Sequence, residues 1–171
     1  VALDDEALFR HERYLERAAR ELTELESLAR SRGFNLVELP GDIGVLANGA
    51  GLTMAALDTL QRFGGKGGTF LDLGGTDDPD RISEALGLLS YDLARGRTGS
   101  LLICIFGGIT RCDTVAEALM MTVTDRSVKA RTVVRLRGNN EEEAAQMLRL
   151  AGFNVHSDLD EACLQAVKVK G

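Results

Sequence analysis

Apolar residues recur along this chain in two alternating rhythms. Between residues 12 and 32 the apolar positions Leu15, Ala18, Ala19, Leu22, Leu25 and Leu28 fall three or four apart, which predicts a helix with one buried face. Gly33 stops it. Short β-rich runs follow at 36–39 and 43–47, on either side of the turn Pro40-Gly41-Asp42. From there runs and helical patterns alternate. Residues 53–63 predict a helix, 69–73 a strand, and 77–95 a helix opened by Asp77-Asp78-Pro79-Asp80. Residues 101–106 predict a fully apolar strand, 112–125 a helix, 131–136 a β-branched strand and 141–151 a helix opened by three glutamates. A last strand over 154–156 and a last helix over 159–169 close the chain.

A strand-helix unit repeated about five times implies an α/β fold, a mostly parallel sheet with helices on both faces. Ligands of such sheets bind beyond the carboxyl ends of the strands. Four consecutive strand ends carry glycine there: Asn48-Gly49-Ala50-Gly51, Gly74-Gly75-Thr76, Gly107-Gly108-Ile109-Thr110 and Gly138-Asn139-Asn140. In the third of these, Gly107 and Gly108 lack a Cβ, and the helix that follows begins with N–H groups that have no intrahelical partner. A strand, a glycine turn and a helix start together make a cradle for a phosphate or a carboxylate.

Composition narrows the classes. The net charge of −6 argues against nucleic acid or an anionic membrane surface as the main partner. No apolar run approaches the ~18 residues of a membrane span, and the acidic start has no signal-peptide core. Three cysteines without close spacing predict free thiols, a reducing compartment and no zinc site. Together these point to the cytoplasm. The chain begins on Val1 and not on an initiator methionine, so a fragment, a processed product or a trimmed chain is expected.

The chemistry in the pattern favours binding over bond-making. There is no P-loop and no serine elbow. Cys112 falls in the first turn of its helix beside Arg111, where a thiolate would be stabilised, but His11 and His156 both lie outside the glycine turns. Asn48, Arg111, Asp113 and Asn139 suit ligand binding, with capping as their alternative role: Asp113 as an acid in the first helical turn, Asn139 or Asn140 as a cap. The pattern therefore predicts an anion cradle without its own nucleophile.

Four segments carry a resemblance: Asn48-Gly49-Ala50-Gly51-Leu52, Phe70-Leu71-Asp72-Leu73-Gly74-Gly75, Ile105-Phe106-Gly107-Gly108-Ile109-Thr110-Arg111-Cys112-Asp113 and Val133-Val134-Arg135-Leu136-Arg137-Gly138-Asn139-Asn140. In this order they resemble the C-terminal ligase domain of succinyl-CoA synthetase β subunits, a domain shared with malate–CoA ligase and ATP-citrate lyase. Residues 3–10 resemble the closing segment of the family's ATP-grasp domain. The resemblance implies a division at 1–34 (tail of the ATP-grasp domain and a linker helix) and 35–171 (a flavodoxin-like ligase domain). It implies an acid–CoA ligase that uses ATP or GTP, CoA and Mg²⁺, with a phosphohistidine on an α subunit as the partner. Asp4 would ligate the metal. Asn48, Gly108, Ile109 and Thr110 would bind a small carboxylate, and Gly107, Arg111, Cys112 and Asp113 would form the helix start facing the phosphate. Thr110 stands where the family usually has Val, Cys104 where it has Asn and Thr76 where it has Gly, and the run 77–80 is unusually acidic. A hydroxyl at 110 raises malate or another hydroxylated acid beside succinate. A non-catalytic binding or assembly domain is the alternative of another class.

Overall fold

The computed structural model describes residues 22–170; Asp4, His11 and the start of the 12–32 helix lie outside the described residues. The first described element is helix α1 (Glu24–Ser31), opened by a capping box in which Thr23 and Glu26 bond each other's backbone. The second oxygen of Glu26 accepts from the N–H of Glu38, so the cap also fastens α1 to strand β1 (Asn35–Glu38). The chain continues through β2 (Ile43–Ala47), α2 (Ala50–Arg62), β3 (Gly67–Asp72), α3 (Pro79–Ala94), β4 (Ser100–Gly107) and α4 (Cys112–Thr122). It ends with α5 (Arg126–Ala130), β5 (Thr132–Gly138), α6 (Glu141–Leu150), β6 (Asn154–His156) and α7 (Leu159–Val169).

The six strands form one sheet in the order β1-β3-β2-β4-β5-β6. All pairs are parallel except β1 with β3. The five parallel strands, counted in chain order, thus stand 2-1-3-4-5, the doubly wound flavodoxin-like arrangement. The expected α/β fold with a parallel sheet is what the chain adopts. β1 and β2 flank a tight turn yet do not pair: β3 lies between them, and β2, buried on every residue, is flanked by β3 and β4.

Strand β4 shows how the layers are set. Leu101, Ile103 and Ile105 enter one core with α1, α3, α4 and α6, while Leu102 and Cys104 enter a second core with α2 and α7. Successive side chains point to opposite faces, so an unbroken apolar run is what a doubly covered strand requires. Two details depart from the sequence reading. The helix expected over 112–125 stops at Thr122, and a separate short helix, capped by Asp125 on Ser127 and Val128, follows it.

Candidate functional site

In this topology the strand order reverses between β2 and β4, and the crevice at their carboxyl ends is where a ligand belongs. Asn48, just past β2, spans the fork. Its Nδ2 donates to the carbonyl of Phe106 at 2.9 Å and its Oδ1 accepts from the N–H of Phe106 at 2.8 Å. The amide thus pairs with β4 as another peptide group would, and one Nδ2 hydrogen is left over. Asp72, at the end of β3, ties the neighbouring turns: one oxygen accepts from Gly49 N–H at 2.8 Å and Gly74 N–H at 2.9 Å.

The turn after β4 lies between these. Gly107 is buried and closes on β5, where an added Cβ would strike the backbone of Asn139 and the Cys112 sulfur. Gly108 is different. It is exposed, its φ is not in the left-handed region, and an added Cβ would meet nothing within 4 Å. Ile109, 76% exposed, and Phe106, 61% exposed, flank it as an apolar rim. Among the described residues the N–H of Ile109 has no hydrogen-bond acceptor. Thr110 is buried, and its hydroxyl oxygen accepts from the N–H of Thr76 at 3.3 Å. Its side chain is thus turned into the protein and not toward solvent.

The start of α4 is closed more fully than a bare helix end. Asp77 accepts from Arg111 N–H at 2.8 Å, and the Asn139 carbonyl accepts from Cys112 N–H at 3.1 Å. Among the described residues the N–H of Asp113, in the first turn of α4, has no hydrogen-bond acceptor, so the helix start expected to stand open is closed only in part. The Arg111 guanidinium folds back onto Asp113 through Nε and Nη2. That contact, with Asn140 donating at 2.8 Å to the same carboxylate, holds the Asp113 carboxyl well below the usual range. Three of the five guanidinium donors remain unspent on Asp113.

Cys112 is buried and its thiol is pushed up to about 11, chiefly by burial and then by Glu141 and Asp113. The stabilised thiolate considered from its place at the helix start is absent; desolvation outweighs the helix end. Asn140 does not cap its helix with its side chain either: it takes a left-handed backbone, φ 61°, and sends its amide across to Asp113. Among the described residues no group of three or more His, Cys, Asp or Glu could hold a metal ion. None of their helices is long and apolar enough to cross a membrane. The sequence reading missed the linking roles of Asp72 and Asp77. Their only sequence signal is an acid one or two residues from a glycine turn.

A sequence model described as CoA-ligase matches residues 46–169, from the end of β2 to the end of α7. The chain belongs to the CoA-ligase family. It is 43% identical to the succinate–CoA ligase [ADP-forming] subunit beta of Staphylothermus marinus over 99% of its length, and 41% identical to the subunit of that name from Christiangramia forsetii over 92%. It spans 44% and 39% of those two proteins. An ATP citrate lyase mutant from Methanosaeta concilii, solved with (3S)-citryl-CoA, superposes with a TM-score of 0.75 at 16% identity, over 97% of this chain and 50% of that one. A dinucleotide-forming acetyl-coenzyme A synthetase from Ca. Korarchaeum cryptofilum gives 0.63 at 15% identity, over 78% of this chain and 34% of the other. At such identities these two speak for the fold of the CoA-ligase domain alone.

Proposed function

We propose that this chain is part of the β subunit of an acid–CoA ligase, which couples nucleoside triphosphate hydrolysis to acyl-CoA formation through a phosphohistidine on an α subunit. The observation that carries the reading is Gly108. Conformation does not require glycine there and neither does packing, so its missing side chain leaves backbone open at a topological switch point. The N–H groups of Ile109 and Thr110, the spare amide hydrogen of Asn48 and the outer face of Arg111 are the donors offered to a small carboxylate or a phosphoryl group. The site has no usable nucleophile of its own: Cys112 is a buried thiol at neutral pH. The nucleophile is assigned to the α subunit, and the rim of Phe106 and Ile109 to the surface that meets it.

Succinate fits better than a hydroxylated acid, because Thr110 is fully buried and presents no exposed hydroxyl to a ligand. The nucleotide and Mg²⁺ belong with Asp4 and with the part of the β subunit outside this chain, and the described residues hold no cluster suited to the ion. The protein is placed in the cytoplasm, or the mitochondrial matrix in a eukaryote.

The test is to mix the full-length β subunit with its α subunit, supply Mg-ATP or Mg-GTP with a panel of dicarboxylates, and follow acid-labile phosphate. The α subunit should gain phosphate and discharge it with CoA and succinate. Acid-labile phosphate on the β chain, or equal phosphorylation and discharge of α without β, overturns the assignment.

A further inference from the structure

The end of β5 carries two adjacent asparagines, and both reach back to the turn after β4. Asn139 donates its amide to the Gly108 carbonyl at 3.1 Å, its N–H to the Gly107 carbonyl at 3.0 Å, and its own carbonyl accepts from Cys112 N–H at 3.1 Å. Asn140 crosses to Asp113 at 2.8 Å. No helix-capping bond explains the left-handed backbone of Asn140, the one non-glycine with positive φ among the described residues. A side chain held in an unfavourable backbone state, away from the role its position suggests, marks a local demand on geometry.

We infer that Asn140 is a positioning residue for Arg111, acting through Asp113. Asp113 receives the Asn140 amide on Oδ2 and grips Arg111 with both oxygens. A carboxylate with a third donor fixed in place has little freedom to turn, so the guanidinium it holds keeps one orientation at the mouth of the site. The neutral amide does this without adding negative charge beside an anion site, which an aspartate could not do. Asn139 sets the glycine turn and Asn140 sets the arginine, so the end of one strand positions both halves of its neighbour's site.

This inference rests on the ligase reading, and two variants test it in the complex of full-length β with α. N140G relieves the left-handed strain but removes the amide. It should fold as well as the parent yet lose about tenfold in kcat, with little change in the KM for the carboxylate. N140D sets two carboxylates side by side. Its kcat should fall at pH 8 and recover toward pH 5.5, as the new carboxyl takes up a proton and donates to Asp113, a pH dependence absent from the parent. A second readout needs no turnover: the Arg111 Nε–H in full-length β labelled with 15N-arginine. It should exchange slowly in the parent and fast in N140G, and in N140D at pH 8. An N140G enzyme with parental kcat, or a slow Arg111 Nε–H in N140G, overturns the proposal. If the parent complex has no ligase turnover, the ligase reading falls and the Arg111 signal alone decides for or against the clamp.

Discussion

The two edges of the sheet are both rich in glycine, and they use it in opposite ways. At the amino edge Gly41, Gly68 and Gly99 are pressed against the protein itself, while the open Gly64 and Gly96 are accounted for by their left-handed φ. A Cβ on Gly41 would run into the carbonyls of Lys66 and Gly67, one on Gly68 into Gly41, and one on Gly99 into Lys170. These positions let loops cross at backbone contact, and they seal that end. At the carboxyl edge the Gly107–Gly138 pair is packed in the same manner, but Gly108, and Gly51 at the start of α2, face open space without a left-handed φ. Glycine content alone therefore does not mark a site. What marks it is a glycine that neither the backbone angle nor a neighbour explains, here at the strand ends where the topology puts ligands.

The contrast predicts opposite phenotypes from similar substitutions. Gly41→Ala forces a methyl group into two carbonyls that cannot both retreat. It should cost about 3 kcal/mol, a fall of roughly 6–12 °C in Tm for a domain of this size. Calorimetry of the full-length chain reads it, and a loss below 1 kcal/mol would mean the amino-edge crossing is loose. Gly108→Val should behave in reverse. Stability should stay within about 0.5 kcal/mol of the parent, while ligase turnover with α falls at least about tenfold, because the isopropyl group covers the backbone an anion must reach. Retained turnover would make the turn a mere connector and erase the distinction between the edges.

The smallest effect concerns charge at the carboxyl edge. The folded carboxyl of Asp113 is depressed, so its interactions stabilise the fold above the ordinary carboxylate range. That contribution is lost as pH falls toward the depressed value. The Tm difference between the parent and Asp113→Asn should therefore be largest near pH 6 and shrink below pH 4. A difference that is constant with pH would separate Asp113 from the charge it shares with Arg111.

Much of this was legible in the chain because it rests on local rules. The unbroken apolar run of β4, the Asp78-Pro79 opening of α3 and the glycine stops are each written in a few adjacent residues. Pairings between distant segments are not. Nothing near residues 35–38 says that β1 joins β3 antiparallel and not β2, since the pairing partner lies more than 30 residues away in the chain. Helix α5 was hidden by its length, although the Asp125-x-Ser127 cap was present. At the site, the positions of Asn48, Gly108 and Arg111 at strand and helix ends followed from the pattern, whereas their partners did not. Arg111 could as well have faced outward freely, and Thr110 upward. It took the packed turn to put Asp113 against the first and Thr76 over the second.

Asn48 has one more effect. Backbone pairing of β2 with β4 ends at Ala47 and Cys104, but the side-chain amide adds a rung at Phe106. The fork between the two strands is thereby zipped two residues farther along β4, from Cys104 to Phe106, about 6.6 Å in the strand direction. A molecule entering the crevice meets a floor made by a carboxamide and not by a gap between diverging backbones. The floor of the crevice is thus set by one side chain, and on the proposed ligase reading residue 48 would be a depth stop, fixing how long an acid could be and still bring its reacting end level with the turn.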